Sequence, residues 1–156
     1  MRERSKKRLG EILVEAGVLT KDQLHEVLEV QKKEPLPIGR LLVQRGIIKE
    51  EHLTAAISQQ LKVPYIPLQN YAVSADMIGL LDGDFCRAQI LIAFDRDDKH
   101  IFLAMADPLN DAAIDQIEQR VKLKPQIFIS TPHEILSMLD LILTMSTQKK
   151  ELKKAV

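Results

Sequence analysis

Two stretches of this chain share one pattern, and that pattern determines which fold the sequence can adopt. Residues 8–31 read RLGEILVEAGVLTKDQLHEVLEVQ, and residues 37–60 read PIGRLLVQRGIIKEEHLTAAISQQ. At a shift of 29 positions, six of the 24 residues are identical, including both glycines of each stretch and the final glutamine. Several other matched positions pair one aliphatic side chain with another. Self-similarity of this kind indicates a duplicated structural unit.

Each copy predicts a short helix, a glycine that ends it, and a longer helix. Gly17 and Gly46 follow short apolar helices at the position where a left-handed residue commonly ends a helix. Thr20, with Gln23 three residues later, predicts a capping box at the start of the longer helix. Lys49 occupies the position of Thr20 in the second copy, so we expect a weaker helix start there. The repeat therefore predicts a four-helix N-terminal unit.

The second half of the chain has a different pattern and predicts a small α/β sandwich. Nearly continuous apolar runs at 89–94 and 101–106 predict a hairpin of buried strands. Strand 101–106, a helix at 111–121 and a strand at 126–130 have the lengths of a parallel, right-handed crossover unit. A last helix, carrying apolar residues on one face, follows residue 131.

Three shorter features complete the second half. Residues 65–68 predict a short extended piece at the edge of a sheet, because Pro67 cannot donate a ladder hydrogen bond. Ser74 predicts the cap of a short helix that runs through Leu81. Thr131 predicts the cap of the last helix.

These elements define the expected fold class and domain organisation. We expect an α+β protein, in which a four-helix unit of two tandem helix–glycine–helix motifs precedes the small α/β sandwich. The expected boundaries are 1–62 for the helical unit, 63–145 for the α/β unit and 146–156 for a charged tail or linker rich in lysine.

Composition excludes several classes of protein. The 22 basic and 22 acidic side chains balance, which argues against a protein that coats nucleic acid or an anionic membrane. Cys86 is the single cysteine, so an intrachain disulfide and a cysteine-based zinc cluster are excluded. No apolar run approaches the roughly 20 residues of a membrane span. The charged start at residues 1–8 is unlike a secretory signal, and we expect a soluble cytoplasmic protein that binds neither DNA nor RNA.

The sequence contains no recognisable catalytic constellation. It lacks the glycine-rich P-loop of an ATPase, and neither His25-Glu26 nor His133-Glu134 has the second histidine of a zinc protease. Cys86 beside an aromatic residue is typical of a buried hydrophobic side chain. Asp107 before a proline is typical of a turn. We therefore expect a protein that is not an enzyme and holds no metal.

The repeat offers chemistry for binding a nucleotide. Arg8 and Gln31 are polar residues at the two ends of the first motif. Gly10 and Gly39 lie near helix starts, where the missing side chain lets a ligand approach the backbone. Arginine donates paired hydrogen bonds to phosphate or to a guanine edge. A duplicated site suits a two-fold symmetric ligand with two phosphates.

Two other interpretations of the repeat remain. In the first, its glycines, leucines and glutamines are only helix ends and core. In the second, Ala16–Val18 is the turn of a DNA-binding helix-turn-helix, which Glu26 and Glu29 on the following helix disfavour.

The duplicated motif resembles that of a known family, the MshEN domain. This domain is the N-terminal region of many type II secretion and type IV pilus assembly ATPases, and its two 24-residue motifs are separated by a five-residue spacer, as at 32–36 here. Similarity extends to residues 61–68 and 104–109 and covers about residues 8–143. The first motif is matched by Arg8, Leu9, Gly10, Leu13, Gly17, Leu24, Leu28 and Gln31.

The resemblance implies that both motifs wrap around cyclic di-GMP. The eight matched residues of the first motif are then ligand-binding residues. Pro37 stands where the first motif has Arg8, which removes one cation, and the second half-site is expected to rely on Arg40, the spacer backbone and apolar contacts. The implied residues of the second motif are Ile38, Gly39, Leu42, Gly46, Leu53, Ile57 and Gln60.

The function that follows is regulatory. We expect a bacterial domain that binds cyclic di-GMP and signals to a secretion or pilus assembly ATPase, in the same chain or in a separate one. No other cofactor is implied. The alternative is a nucleotide-free docking domain that links such an ATPase to its platform protein.

Overall fold

The computed structural model describes residues 7–154, and it has an α+β fold with eight helices and a three-stranded sheet in that range. Met1 to Lys6, which include most of the charged N-terminal stretch, and the last two residues lie outside the described part. The chain divides into two compact units between Val63 and Pro64. The predicted fold class is confirmed.

The first unit consists of the four predicted helices. They are α1 (Leu9–Glu15), α2 (Lys21–Gln31), α3 (Ile38–Gln44) and α4 (Glu50–Leu61).

The glycine ends and the first cap are confirmed. Gly17 and Gly46 have φ angles of +77° and +71°, a left-handed conformation that glycine adopts without a steric penalty. The Thr20 hydroxyl accepts from the Gln23 amide at 3.1 Å, while the Gln23 side chain accepts from the Thr20 amide at 3.0 Å. The Lys49 side chain has no acceptor with which to cap α4.

The two copies share one core rather than folding side by side. Helix α1 packs against α4, and α2 packs against α3, so each short helix contacts the long helix of the other copy. Matched positions of the repeat are buried together. These pairs are Ile12 with Leu41, Leu13 with Leu42, Leu19 with Ile48, and Val27 with Ala56.

The second unit contains the sheet and four further helices. A short 3-10 helix at Leu68–Asn70 comes first. The remaining elements are α5 (Ala75–Gly79), α6 (Gly83–Gln89), β1 (Leu91–Arg96), β2 (His100–Met105), α7 (Asp111–Val121), β3 (Lys124–Ile129) and α8 (Pro132–Lys154).

The sheet has the order β1-β2-β3 and the predicted strand directions. β1 and β2 pair antiparallel with a bulge between Ala93 and Asp95, and β2 and β3 pair parallel. Tyr65 forms a single parallel bridge with Ile129, which confirms the short extended piece near Pro67. The Thr131 hydroxyl accepts from the Glu134 amide at 3.1 Å, which confirms the cap of α8.

Some boundaries differ from the prediction. Residues 83–89 form α6, which the sequence pattern does not indicate, so β1 begins two residues later than expected. α5 ends at Gly79 instead of Leu81. The segment 146–154, treated above as a tail, is the last part of α8. None of the described helices combines the length and apolar character needed to cross a membrane.

Candidate functional site

The starts of the two motifs lie next to each other in the first unit. The Cδ2 atom of Leu9 is 3.3 Å from the position that a Cβ atom would take on Gly39. Leu9 is the first residue of α1, and Gly39 is the second residue of α3. The arrangement brings Arg8 and Pro37, which precede these two helices, to one region of the helical unit.

Each of the two helix-start glycines lies beneath a leucine of its own motif. A Cβ atom on Gly10 would be 2.7 Å from Leu24 Cδ1, and one on Gly39 would be 2.5 Å from Leu53 Cδ1. Both distances are shorter than real Cβ contacts. The space beside these glycines is therefore filled by leucine, so a larger residue at either position needs that leucine to move.

The predicted site residues separate into core and surface groups. Leu13 and Leu42 have at most 1% of their surface exposed and belong to the shared core, as does Leu53. These three side chains support the motif from within. The other side chains reach the surface, together with the exposed Gly17 and Gly46. Half-buried are Leu9, Leu24, Gln31, Ile38, Ile57 and Gln60, and exposed are Arg8, Leu28 and Arg40.

Arg8 is the single arginine of the first motif. It is exposed at the N-cap position of α1, and its side chain makes no hydrogen bond or ion pair with any other residue in the range 7–154. Pro37 holds the corresponding position before α3 with a φ of −56°. The first motif thus offers a charged donor where the second offers a rigid, uncharged ring.

Arg40, in contrast, forms an ion pair. Its Nη1 donates to Oε1 of Glu50 at 2.9 Å. The sequence prediction does not include Glu50. Glu11 and Lys21 stand at the positions of Arg40 and Glu50, with their charges reversed.

The Gln31 side chain forms a hydrogen bond with the spacer between the motifs. Its Nε2 donates to the backbone carbonyl of Leu36 at 3.1 Å, which closes the loop from the end of α2 to the start of α3. A cavity of about 330 Å³ lies near this loop and is lined by Glu29, Val30, Lys33, Glu34 and Arg45. It includes none of the predicted site residues.

Three titratable residues outside the predicted site have structural roles. Burial raises the pKa of the Cys86 thiol to about 11, so Cys86 is a buried hydrophobic side chain as predicted. The Asp107 carboxylate accepts from the Leu109 amide at 3.0 Å, which confirms the predicted turn. The ring Nδ1 of His52 accepts from the Lys49 amide at 3.2 Å. Within residues 7–154, no group of three or more His, Cys, Asp and Glu side chains could hold a metal ion.

Comparisons with known proteins show the family and agree with the fold. A family model described as MshEN domain matches residues 61–148. The type IV pilus assembly ATPase PilB of Myxococcus xanthus (strain DK1622) is 34% identical over 111 residues, which are 71% of this chain and 20% of that protein. This chain therefore spans about a fifth of the length of that relative.

Two solved structures are similar to this one. A structure of MshE with cdg has a TM-score of 0.74 and 27% sequence identity, over 88% of this chain and 99% of that chain. The N-terminal domain of XpsE has a TM-score of 0.67 and 20% identity, over 90% of this chain and 97% of that one. The likeness to XpsE concerns the fold alone.

Proposed function

Because this chain belongs to the MshEN domain family, we propose that it is a regulatory, non-catalytic domain that binds cyclic di-GMP. The ligand would be held by the two 24-residue motifs, residues 8–31 and 37–60. The domain would then signal from the cytoplasm to a secretion or pilus assembly ATPase. The observation that carries the proposal is the likeness to MshE with cdg over 88% of this chain, where we take cdg to be cyclic di-GMP.

The geometry of the first unit supports this ligand. Cyclic di-GMP has two guanines and two phosphates related by a two-fold axis, and the starts of the two motifs adjoin at Leu9 and Gly39. The half-buried aliphatic side chains of both motifs offer apolar surface against which guanine rings can pack. Arg8 supplies a guanidinium that can donate two parallel hydrogen bonds to a phosphate or to guanine O6 and N7.

Calorimetric titration tests this function. We expect saturable binding of cyclic di-GMP near one ligand per chain, and no comparable binding of GMP or GTP. Arg8→Ala should weaken binding by about ten-fold or more, because a hydrogen bond to a charged group contributes roughly 1.5–3 kcal/mol. Its melting temperature should remain that of the wild type, since Arg8 is exposed and its side chain contacts no other described charge.

Arg45→Ala is the matched control. Arg45 is an exposed guanidinium in the same unit, paired with Glu34 at 3.2 Å, and it is not one of the site residues. Its removal should leave the binding isotherm unchanged. A folded wild-type protein that shows neither binding heat nor a thermal shift with cyclic di-GMP would refute the function.

Docking without nucleotide is the second candidate function. Leu141, Met145 and Leu152 are 56%, 59% and 69% exposed, and their spacing of four and seven residues places them on one side of α8. Such a stripe is an expected feature of a helix that packs against another protein. The docking function predicts that Leu141→Ser with Met145→Ser abolishes co-purification with a secretion or pilus ATPase. The same variant should leave any binding of cyclic di-GMP intact.

A further inference from the structure

The two halves of the proposed nucleotide site differ in charge. The first motif begins with Arg8, while Pro37 leaves the second motif without a cation at that position. Arg40, three residues later, is the first cation of the second motif. Its side chain is 44% exposed, so a ligand can reach it.

Arg40 lies on the part of α3 that meets the first motif. It directly follows Gly39, whose Cβ position is 3.3 Å from Leu9 Cδ2. An exposed side chain at this position is within reach of a ligand that contacts both motif starts. In the structure, however, the guanidinium is bound to Glu50, the first residue of α4, at 2.9 Å.

The ion pair belongs to the second motif alone. The equivalent residues of the first motif, Glu11 and Lys21, have reversed charges and form no ion pair with each other in the described part of the chain. The reversal places a cation near the start of α3 and an anion at the same position of α1. The second motif, which lacks an equivalent of Arg8, therefore has a cation at position 40, whereas the first motif has the anion Glu11 at the matching position.

From this arrangement we infer that Glu50 determines the affinity of the site, because a ligand phosphate must replace its carboxylate on Arg40. The inference rests on the proposed function. A phosphate oxygen and a carboxylate oxygen compete for the same donors of one guanidinium. Removing the carboxylate frees the Arg40 guanidinium for the ligand phosphate. Once Arg40 itself is removed, Glu50 has no guanidinium to compete for and should no longer affect the affinity.

Titrations of cyclic di-GMP into four proteins at one salt concentration test the inference. These proteins are the wild type, Glu50→Gln, Arg40→Ala and the double variant. Glu50→Gln should bind about two-fold to five-fold more tightly, the range expected for loss of an exposed ion pair. Arg40→Ala should bind more weakly than the wild type. In the Arg40→Ala background, Glu50→Gln should cause no further change.

Two further variants serve as controls. Glu34→Gln releases Arg45 from an ion pair of similar exposure in the same unit, and it should not change the affinity. Glu50→Asp keeps an acidic residue at the start of α4 but shortens its reach, so it should tighten binding as Glu50→Gln does. Because it preserves the favourable charge at the helix start, it replaces Glu50→Gln if that variant is poorly folded.

Three outcomes have distinct meanings. If the wild type binds cyclic di-GMP and Glu50→Gln binds it with equal or lower affinity, the inference is overturned while the proposed function stands. Tightening by Glu50→Gln of the same size in the Arg40→Ala background would also overturn it, because Glu50 would then act by direct repulsion of the phosphate. Absence of binding by the folded wild type would refute the proposed function, and the inference with it.

Discussion

Leu53 packs directly over Gly39, with its Cδ1 atom 2.5 Å from the position of a Cβ atom on that glycine. The first motif repeats the relationship between Leu24 and Gly10 at 2.7 Å. The two leucines differ in their surroundings, since Leu53 is 4% exposed and Leu24 is half-buried. We therefore expect Leu24 to have room to move away from Gly10 and Leu53 to have little room to move away from Gly39.

We expect alanine to be tolerated at Gly10 and not at Gly39. Overpacking a core costs about 1–3 kcal/mol, whereas alanine gains about 1 kcal/mol of helix propensity over glycine. Leu24 can turn toward solvent, so Gly10→Ala should leave the free energy of unfolding within about 0.5 kcal/mol of the wild type. Gly39→Ala should lower it by about 1–2 kcal/mol. Urea denaturation measures both, and equal effects would show that burial of the leucine does not decide the outcome.

The helical half of the fold is predictable because its signals are local. Gly17, Gly46 and the pair of Thr20 with Gln23 fix helix ends through contacts within a few residues, and duplication provides the glycine signal twice. The contact of Leu53 with Gly39 is tertiary, and the sequence pattern gave these glycines a different meaning, as places where a ligand approaches the backbone. The sequence therefore predicts a set of candidate site positions, whereas the packing of these positions becomes visible only in the structure.

The boundary between α6 and β1 shows what local pattern misses. Ile90 has a φ of +50°, a left-handed conformation that β-branched residues rarely adopt, and it ends α6 immediately before β1. Nothing in the type of this residue indicates a helix end. An apolar run that begins before Leu91 therefore predicts a longer strand. The observed helix end at Ile90 depends instead on packing within the whole second unit.

Lys122 ends α7 in a conformation that favours glycine, with a φ of +58°. Its amide donates to the Glu118 carbonyl at 2.8 Å, as is usual for a left-handed helix end. We expect Lys122→Gly to raise the free energy of unfolding by about 0.5–1 kcal/mol, since relief of backbone strain exceeds the added entropy of the unfolded chain. Thermal melting should shift upward by about 2 °C. Lys122→Ala is the control: a similar gain there would assign the effect to loss of charge.

Asp97 stabilises the turn between β1 and β2 through its carboxylate. The Lys99 amide and the His100 amide donate to Oδ1 at 2.8 and 2.7 Å, which holds the pKa of Asp97 below its ordinary value. A depressed carboxylate pKa contributes stability above the unfolded-state pKa, and this stability is lost as the pH falls through the folded-state pKa. Asp97→Asn should therefore be less stable than the wild type at neutral pH.

The pH dependence separates this effect from a simple loss of side-chain shape. The difference in unfolding free energy between Asp97→Asn and the wild type should shrink as the pH falls below about 4. Urea titrations from pH 7 to pH 3 measure it. Asp98→Asn, at the exposed neighbouring position, provides the comparison. A difference that stays constant across this range would contradict the assigned role of the carboxylate.

Cys86 should be unreactive in the folded protein. Its side chain is 1% exposed, and burial, followed by the negative charge of Asp82, raises the pKa of the thiol to about 11. Because the thiolate is the reactive form, both access and ionisation oppose modification at pH 8. We expect labelling by an aromatic disulfide to be negligible in native buffer and rapid in urea, where the thiol is exposed and regains an ordinary pKa. The labelling rate should follow the unfolded fraction measured by circular dichroism. Fast labelling of fully folded protein would contradict this expectation and show that α6 opens locally to expose the thiol.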